Sequence, residues 1–205
     1  MLESQDIPTT VGLNFPNGVA LLAALRKYTD FGGLSGSHTI VGSYATGSYT
    51  AFDTEGWIID PPAGAITPTE KAGTWAALYL GEQRLWQDCC NKNRFTKLFG
   101  YVGFSEPANS PFNWTGSVSL EAFGPAISRP NDRTGIAYFY NALNSDFQRA
   151  FNLVNPAGDV HGGEVYYNAE ITPWFHLTFD LQAIRPTFSA RETAIVPAVR
   201  GRLDF

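Results

Sequence analysis

Hydrophobic and polar residues alternate one by one along several stretches of this chain, most cleanly toward its C-terminus. Phe175, Leu177, Phe179, Leu181 and Ala183 fall on one side of an extended segment, and His176, Thr178, Asp180 and Gln182 on the other. A period of two is that of a β-strand, whose successive side chains point to opposite faces. The last segment repeats it: Ile195, Val199, Gly201, Leu203 and Phe205 share one face, Arg200, Arg202 and Asp204 the other. Val165, Tyr167, Ala169 and Ile171 alternate with Glu164, Tyr166, Asn168 and Glu170, and Trp114, Val118 and Leu120 oppose Thr115, Ser117, Ser119 and Glu121. Less regular strands are expected at Val19 to Tyr28, His38 to Tyr49, Thr74 to Leu85, Leu98 to Phe104 and Arg133 to Asn141. That makes nine strands, with a tenth candidate at Thr9 to Phe15.

Connection lengths carry a second pattern. Counted back from Phe205, short and long connections alternate. The tight Ile171-Thr172-Pro173-Trp174 turn and the connections at Thr29 to Ser37 and Gly124 to Asp132 fall at one end. Ala51 to Gly73 and Ala142 to Gly162, the two longest, fall at the other. Trp86 to Lys97 belongs with the short ones but is longer than they are, so a bulge or a short helix is expected there. Short turns on one side and long loops on the other are the habit of outer-membrane barrels.

Composition agrees. Charged residues are 16 % and aromatics 14 %, with 20 Gly and 13 Pro, which suits many turns and few long helices. A net charge of −5 and the absence of a Lys/Arg stripe argue against nucleic acid as a partner. No stretch holds the roughly 18 apolar residues a membrane helix needs, but strands facing lipid on one side need none. Met1 to Asp6 has neither the basic start nor the apolar run of a secretory signal. Either the precursor's start lies outside this chain, or an exported location is wrong.

Reactive signatures are missing. There is no Gly-x-Ser-x-Gly elbow, phosphate loop or His-Glu-x-x-His, so neither an enzyme nor a cofactor is expected. Gly32, Gly33 and Gly36 read as a turn, since no strand-then-helix context surrounds them. Glu82 with Arg84, or Asp180 with His176, read as neighbours on a polar wall rather than as acid and base. Cys89 and Cys90 are adjacent, a spacing that disfavours a mutual disulfide. With His38, His161 and His176 scattered, no zinc set forms, and the pair reads as a polar turn that holds cysteines.

The polar faces carry the functional question. In a soluble sandwich one face of each strand enters a core and the other meets water; in a porin one face meets lipid and the other lines a wet channel. Charges of both signs at Glu121, Glu164, Glu170, Asp180, Arg200 and Arg202, with His176 beside them, are the candidate pore lining. Mixed charges can offer hydrogen bonds to the hydroxyls of an uncharged solute. Trp174 and Phe175 suit either an interfacial aromatic girdle or ordinary packing.

Several stretches resemble a known family. They include Gly33-Leu34-Ser35-Gly36-Ser37-His38-Thr39, Gly42-Ser43-Tyr44, and Leu78-Tyr79-Leu80-Gly81-Glu82-Gln83 with Leu85-Trp86. Further on come Phe123-Gly124-Pro125 through Arg129-Pro130-Asn131-Asp132, Gly135-Ile136-Ala137-Tyr138-Phe139-Tyr140-Asn141, and Glu164-Val165-Tyr166-Tyr167-Asn168. The most specific is Thr172-Pro173-Trp174-Phe175-His176-Leu177-Thr178 with Asp180-Leu181-Gln182, and the order holds through Arg202-Leu203-Asp204-Phe205. Together they resemble the carbohydrate-selective porins of the OprB type, over the C-terminal half of that family's usual length.

The resemblance implies an all-β, antiparallel transmembrane β-barrel of about sixteen strands, of which residues 1–205 form one region of about nine or ten. It implies passive diffusion of small carbohydrates, glucose-like monosaccharides above all, across a bacterial outer membrane, with no cofactor. Sugars and outer-membrane lipid are the expected partners, a homo-oligomer is compatible with it, and Leu203 and Phe205 serve as a signal to the barrel-assembly machinery. A truncated, non-conducting barrel and a soluble carbohydrate-binding β-sandwich are the alternatives.

Overall fold

The computed structural model of the chain describes residues 18–53, 57–60, 62, 65–152, 156–188 and 192–204. The elements in order are β1 (Ala20–Phe31), β2 (Leu34–Thr50), β3 (Ile58–Asp60), β4 (Ala65–Thr67), β5 (Glu70–Gln87), β6 (Phe95–Ser105) and β7 (Phe112–Phe123). There follow β8 (Arg133–Leu143), α1 (Ser145–Asn152), β9 (Val160–Thr172), β10 (Phe175–Arg185) and β11 (Ala194–Leu203). All but β3, β4 and α1 join one nine-stranded antiparallel sheet in the order β1-β2-β5-β6-β7-β8-β9-β10-β11. The nine strands expected from alternation are these nine. Most run past the alternating residues at one or both ends, because backbone pairing continues where side chains stop alternating. The tenth candidate, Thr9 to Phe15, lies outside the described residues.

Sequential neighbours pair because their turns are short. At Gly32 (φ 63°) and Gly33 (φ 84°) the backbone takes the left-handed conformation at both central positions of a two-residue hairpin, the geometry that matches strand twist. Gly33 N–H also donates to Asp30 Oδ1 at 2.7 Å. Gly36 is not part of this turn, contrary to the sequence reading. It lies within β2, where an added Cβ would come 2.1 Å from Gln83 Oε1. Gln83 lies across that gap to donate to the Leu34 carbonyl at 2.8 Å. The same end of the sheet carries the Pro173-Trp174, Asp88–Arg94 and Gly124–Asp132 connections. The expected irregularity in Trp86 to Lys97 is a register shift between Arg84 and Trp86, and β5 and β6 extend into the segment from either side. The opposite end holds the long connections, one with the β3–β4 hairpin and one with α1.

No core underlies the sheet. Ala51, Leu143, Ala157 and Ala169 are the buried apolar residues among those described, while Leu22, Leu25 and Val199 are 74 %, 73 % and 64 % exposed. A soluble sandwich would cover one face with a second layer. Among the described residues none does, and these residues do not form a sandwich. The sheet is also open: β1 and β11 are its edges. Eight antiparallel steps separate them, so they run in the same direction, and pairing them directly would make a parallel seam.

Asp132 fixes the Gly124–Asp132 turn against β9. Its side chain is 2 % exposed and accepts from Arg129 Nε at 2.7 Å, from the Tyr167 hydroxyl, and from Glu170 N–H at 3.0 Å. Burial works to raise its pKa, but these three donors and the Arg129 charge outweigh it and hold the carboxyl below the usual range. With the folded value below the unfolded one of about 3.9, the stabilisation is complete above that pH and is lost as pH falls through the folded value. Asp132→Asn should therefore cost about 1.5–3 kcal/mol at neutral pH. Urea unfolding in detergent should show the gap from wild type closing progressively as pH drops below the unfolded value of about 3.9.

Candidate functional site: the two faces of the sheet

Cross-strand partners share a face, so the register carries face assignments from strand to strand. One row runs Arg84, Lys97, Glu121, Gly135, Tyr166, Asp180 across β5 to β10. A second runs Gln87, Phe95, Phe123, Arg133, Asn168, Thr178, Arg200, and a third Glu82, Phe99, Ser119, Ala137, Glu164, Gln182. Glu170, His176 and Arg202 make a shorter row toward the tight turns. Every candidate pore-lining residue, Glu121, Glu164, Glu170, His176, Asp180, Arg200 and Arg202, is therefore on one face. A recess there is lined by all of these but Asp180, with Arg133, Tyr166 and Asn168 among its other walls.

The charges on this face are held by one another. Lys97 Nζ lies 3.2 Å from Glu121 Oε2, and the Tyr166 hydroxyl donates to Glu121 Oε1. Gly135 makes the second bond possible: the Tyr166 ring occupies the space of the missing side chain, and an added Cβ would sit 2.6 Å from Cε1. Arg84 lies 4.0 Å over the Phe95 ring, and Lys97 and Arg133 lie 5.1 and 4.8 Å from the Phe123 ring. Asp180, with its side chain 2 % exposed, accepts from Gln182 Nε2 at 3.0 Å and faces Arg200 Nη2 at 3.5 Å. Arg200 reaches Glu164 at 4.0 Å and remains 65 % exposed, so its cation is open to the space above the sheet.

His176 Nε2 faces Asp204 at 3.4 Å rather than Asp180, and Arg202 Nε donates to the same Asp204 at 2.7 Å. The Asp180–His176 pairing considered from sequence does not form. Glu82 accepts from Ser37 Oγ at 3.1 Å, while Arg84 donates to Gln87 at 3.0 Å, so these two are also wall neighbours. Arg84, Lys97 and Arg133 were absent from the candidates. Their segments alternate poorly, but the two-residue phase carried across from Glu121 places all three.

The other face is apolar. Away from strand ends Lys27 is its one charged side chain among the described residues, beside His38, whose Nδ1 lies 2.7 Å from the Tyr79 hydroxyl. Tyr44, Trp75, Phe104, Trp114 and Tyr140 succeed one another on β2, β5, β6, β7 and β8 near the long-loop end, with Trp114 and Tyr140 stacked at 5.0 Å. Phe31, Trp86 and Trp174 are exposed near the tight turns. From Thr96 to Phe104, β6 climbs roughly 27 Å at about 3.4 Å per residue. At a barrel tilt of about 35–45° that projects to about 19–22 Å, a little under the ~25 Å apolar band of outer-membrane barrels between two aromatic girdles. Trp174 and Phe175 are covered by no second layer, which rules out ordinary core packing. Leu203 lies on this face opposite Phe175; Phe205 lies outside the described residues.

Tyr166→Phe should cost about 1.5–3 kcal/mol, the loss of one hydrogen bond to a charged acceptor. Gly135→Val should cost more, adding about 1–3 kcal/mol by displacing the ring as well. Gly42→Ala, with open space at its Cβ, is the control expected to leave the urea midpoint in detergent unchanged.

The sequence profile of the carbohydrate-selective porin, OprB family, matches residues 4–205. No curated protein sequence matches the chain. Among solved structures, the high-pH structure of Pseudomonas putida OprB is similar with a TM-score of 0.83 and 18 % identity, over 92 % of this chain and 49 % of that one. The low-pH structure of the same protein gives a TM-score of 0.50 and 17 % identity, over 89 % and 55 %. At such identities the likeness is one of fold, and the chain spans about half the length of that porin. With nearly its whole length matched by the family profile and a sheet of porin type, the chain belongs to the carbohydrate-selective porin family, OprB.

Proposed function

We propose that this chain forms one wall of a bacterial outer-membrane channel through which small carbohydrates, glucose-like monosaccharides among them, diffuse passively. The observation that carries the reading is a single-layered sheet with one apolar, aromatic-girdled face and one face of interleaved acids and bases. A lipid-facing wall needs the first face and a water-filled lumen the second. In this reading Glu121, Glu164, Glu170, His176, Asp180, Arg200 and Arg202 line the lumen together with Arg84, Lys97 and Arg133. Their alternating donors and acceptors exchange hydrogen bonds with sugar hydroxyls at many weak sites, which lets a solute both enter and leave. No bond is made or broken in passage, so no cofactor takes part. Lipid is the partner of the outer face, and Leu203 with Phe205 presents the last strand to the assembly machinery.

The same-direction edges β1 and β11 support a second reading, in which this chain alone inserts without conducting. Liposome swelling separates the two. Reconstituted protein should admit glucose faster than a disaccharide, whereas insertion with no sugar flux favours the non-conducting barrel and sinks the channel reading for this chain. Deleting Phe205 should lower the membrane-inserted yield several-fold; an unchanged yield would remove its assembly role. Replacing both Arg200 and Arg202 by Gln should shift ion selectivity toward cations, read as a changed reversal potential across a salt gradient in planar bilayers.

A further inference from the structure

The Asp88–Arg94 turn carries two thiols for which the channel has no use. Cys89 and Cys90 are both exposed, and their Sγ atoms lie 3.2 Å apart. With an Asp88 carboxylate oxygen they form the one group of potential metal-ligating side chains, within 4.8 Å of one another, among the described residues. The turn is built without the sulfurs. Asp88 Oδ1 accepts from the N–H groups of Cys90 and Asn91 at 2.8 and 3.3 Å, and Oδ2 meets Arg94 Nη1 at 2.6 Å. Arg94 Nε in turn donates to the Gly124 carbonyl at 3.1 Å, tying the turn to its neighbour. The carboxylate is thus occupied, and what the turn offers to solvent is a dithiol already held at chelating distance.

We propose that Cys89 and Cys90 form a chelating site for a thiophilic trivalent metalloid, with arsenous acid the simplest ligand of that class. The bite selects it. With bonds to sulfur of about 2.3 Å, sulfurs 3.2 Å apart subtend roughly 88° at a shared atom, whereas a tetrahedral ion such as zinc wants them roughly 3.8 Å apart. A three-coordinate pyramidal centre with a lone pair takes angles near a right angle and needs only the two sulfurs and one oxygen of its own. A structural zinc site would need two further protein ligands, and among the described residues the occupied Asp88 is the one grouped with the thiols.

Stoichiometry favours the same class. The turn offers two exposed thiol groups. Arsenous acid condenses with both: two As–O bonds break, two As–S bonds form, and each thiol proton leaves with a hydroxide as water. Arsenic stays trivalent and one hydroxyl stays on it, so no oxidant and no net proton release are required. A divalent ion must instead displace two protons. The proposal depends on this turn alone and stands apart from the sugar-channel reading.

The test uses the full chain in detergent, reduced and then freed of reductant, with sodium arsenite as the probe. After gel filtration, one arsenic per chain should be retained, and both thiols should disappear together from a colorimetric thiol titration. Excess dimercaptopropanol should restore them, and a monothiol at the same concentration should not. Cys89→Ser and Cys90→Ser should each reduce retention at least tenfold. Methylthiolation of the folded wild-type protein, which leaves the fold in place, should do the same. Retention below a tenth of an arsenic per chain, or retention undiminished by either substitution or by methylthiolation, overturns the site. Stoichiometric retention of zinc under the same conditions overturns the argument from the bite.

Discussion

Lateral backbone pairing is the constraint on which everything else in this molecule rests. A sheet with no second layer gains little from a buried core, and the buried apolar residues among those described are a few alanines and Leu143 at the end of β8. Cohesion comes from a ladder of antiparallel hydrogen bonding that joins every neighbouring pair of strands from β1 to β11. In hydrocarbon that ladder is obligatory, since an unpaired N–H or C=O there costs several kcal/mol. Tight turns at one end, such as Gly32-Gly33 and Pro173-Trp174, keep neighbours in register, while the other end is free to carry longer segments.

The ladder also distributes chemistry. Because pairing fixes which residues face the same way, a charge on one strand finds its counterion on the next or the next but one: Lys97 with Glu121, Arg200 with Asp180 and, across β10, Glu164. A one-residue slip of any strand would send that strand's charges into the apolar face and its aromatics into the polar one. Aromatic girdle and polar wall are therefore two readings of one register. Small residues serve both. Gly135 and Gly36 are open positions that Tyr166 and Gln83 fill from adjacent strands, locking neighbours together through side chains as well as backbone.

Much of this was legible in the chain itself, because a period of two is written directly into residues 114–122, 164–171 and 175–183. The seven lining candidates all lie on the expected face for that reason. Lys97 and Arg133 were not legible, since β6 and β8 also place Phe99 and Ala137 on the polar face, which blurs the local alternation. Gly36 was misread as a turn because a glycine left vacant for a side chain two strands' length away in sequence looks like any other glycine. Lys27 on the apolar face likewise breaks the pattern, and its place follows from pairing with His38, not from its neighbours in β1. The arrangement of sulfurs and carboxylate at Asp88 to Cys90 needed coordinates, since adjacency in sequence fixes neither the bite nor the partners of the carboxylate.

Closure follows from direction. Strands that alternate up and down around a barrel pair antiparallel at every seam only when their number is even, and the nine described strands leave both edges pointing the same way. A ring built on them with antiparallel seams throughout must place an odd number of further strands between β11 and β1. The fold likeness extends over about half of a porin chain, which is consistent with a wall of this kind being part of a larger ring. The distinction between apolar face and polar face is a property of each strand pair and is complete among the described strands. A lumen, by contrast, exists only where the last seam is made, so the face chemistry and the pore belong to different levels of the same structure.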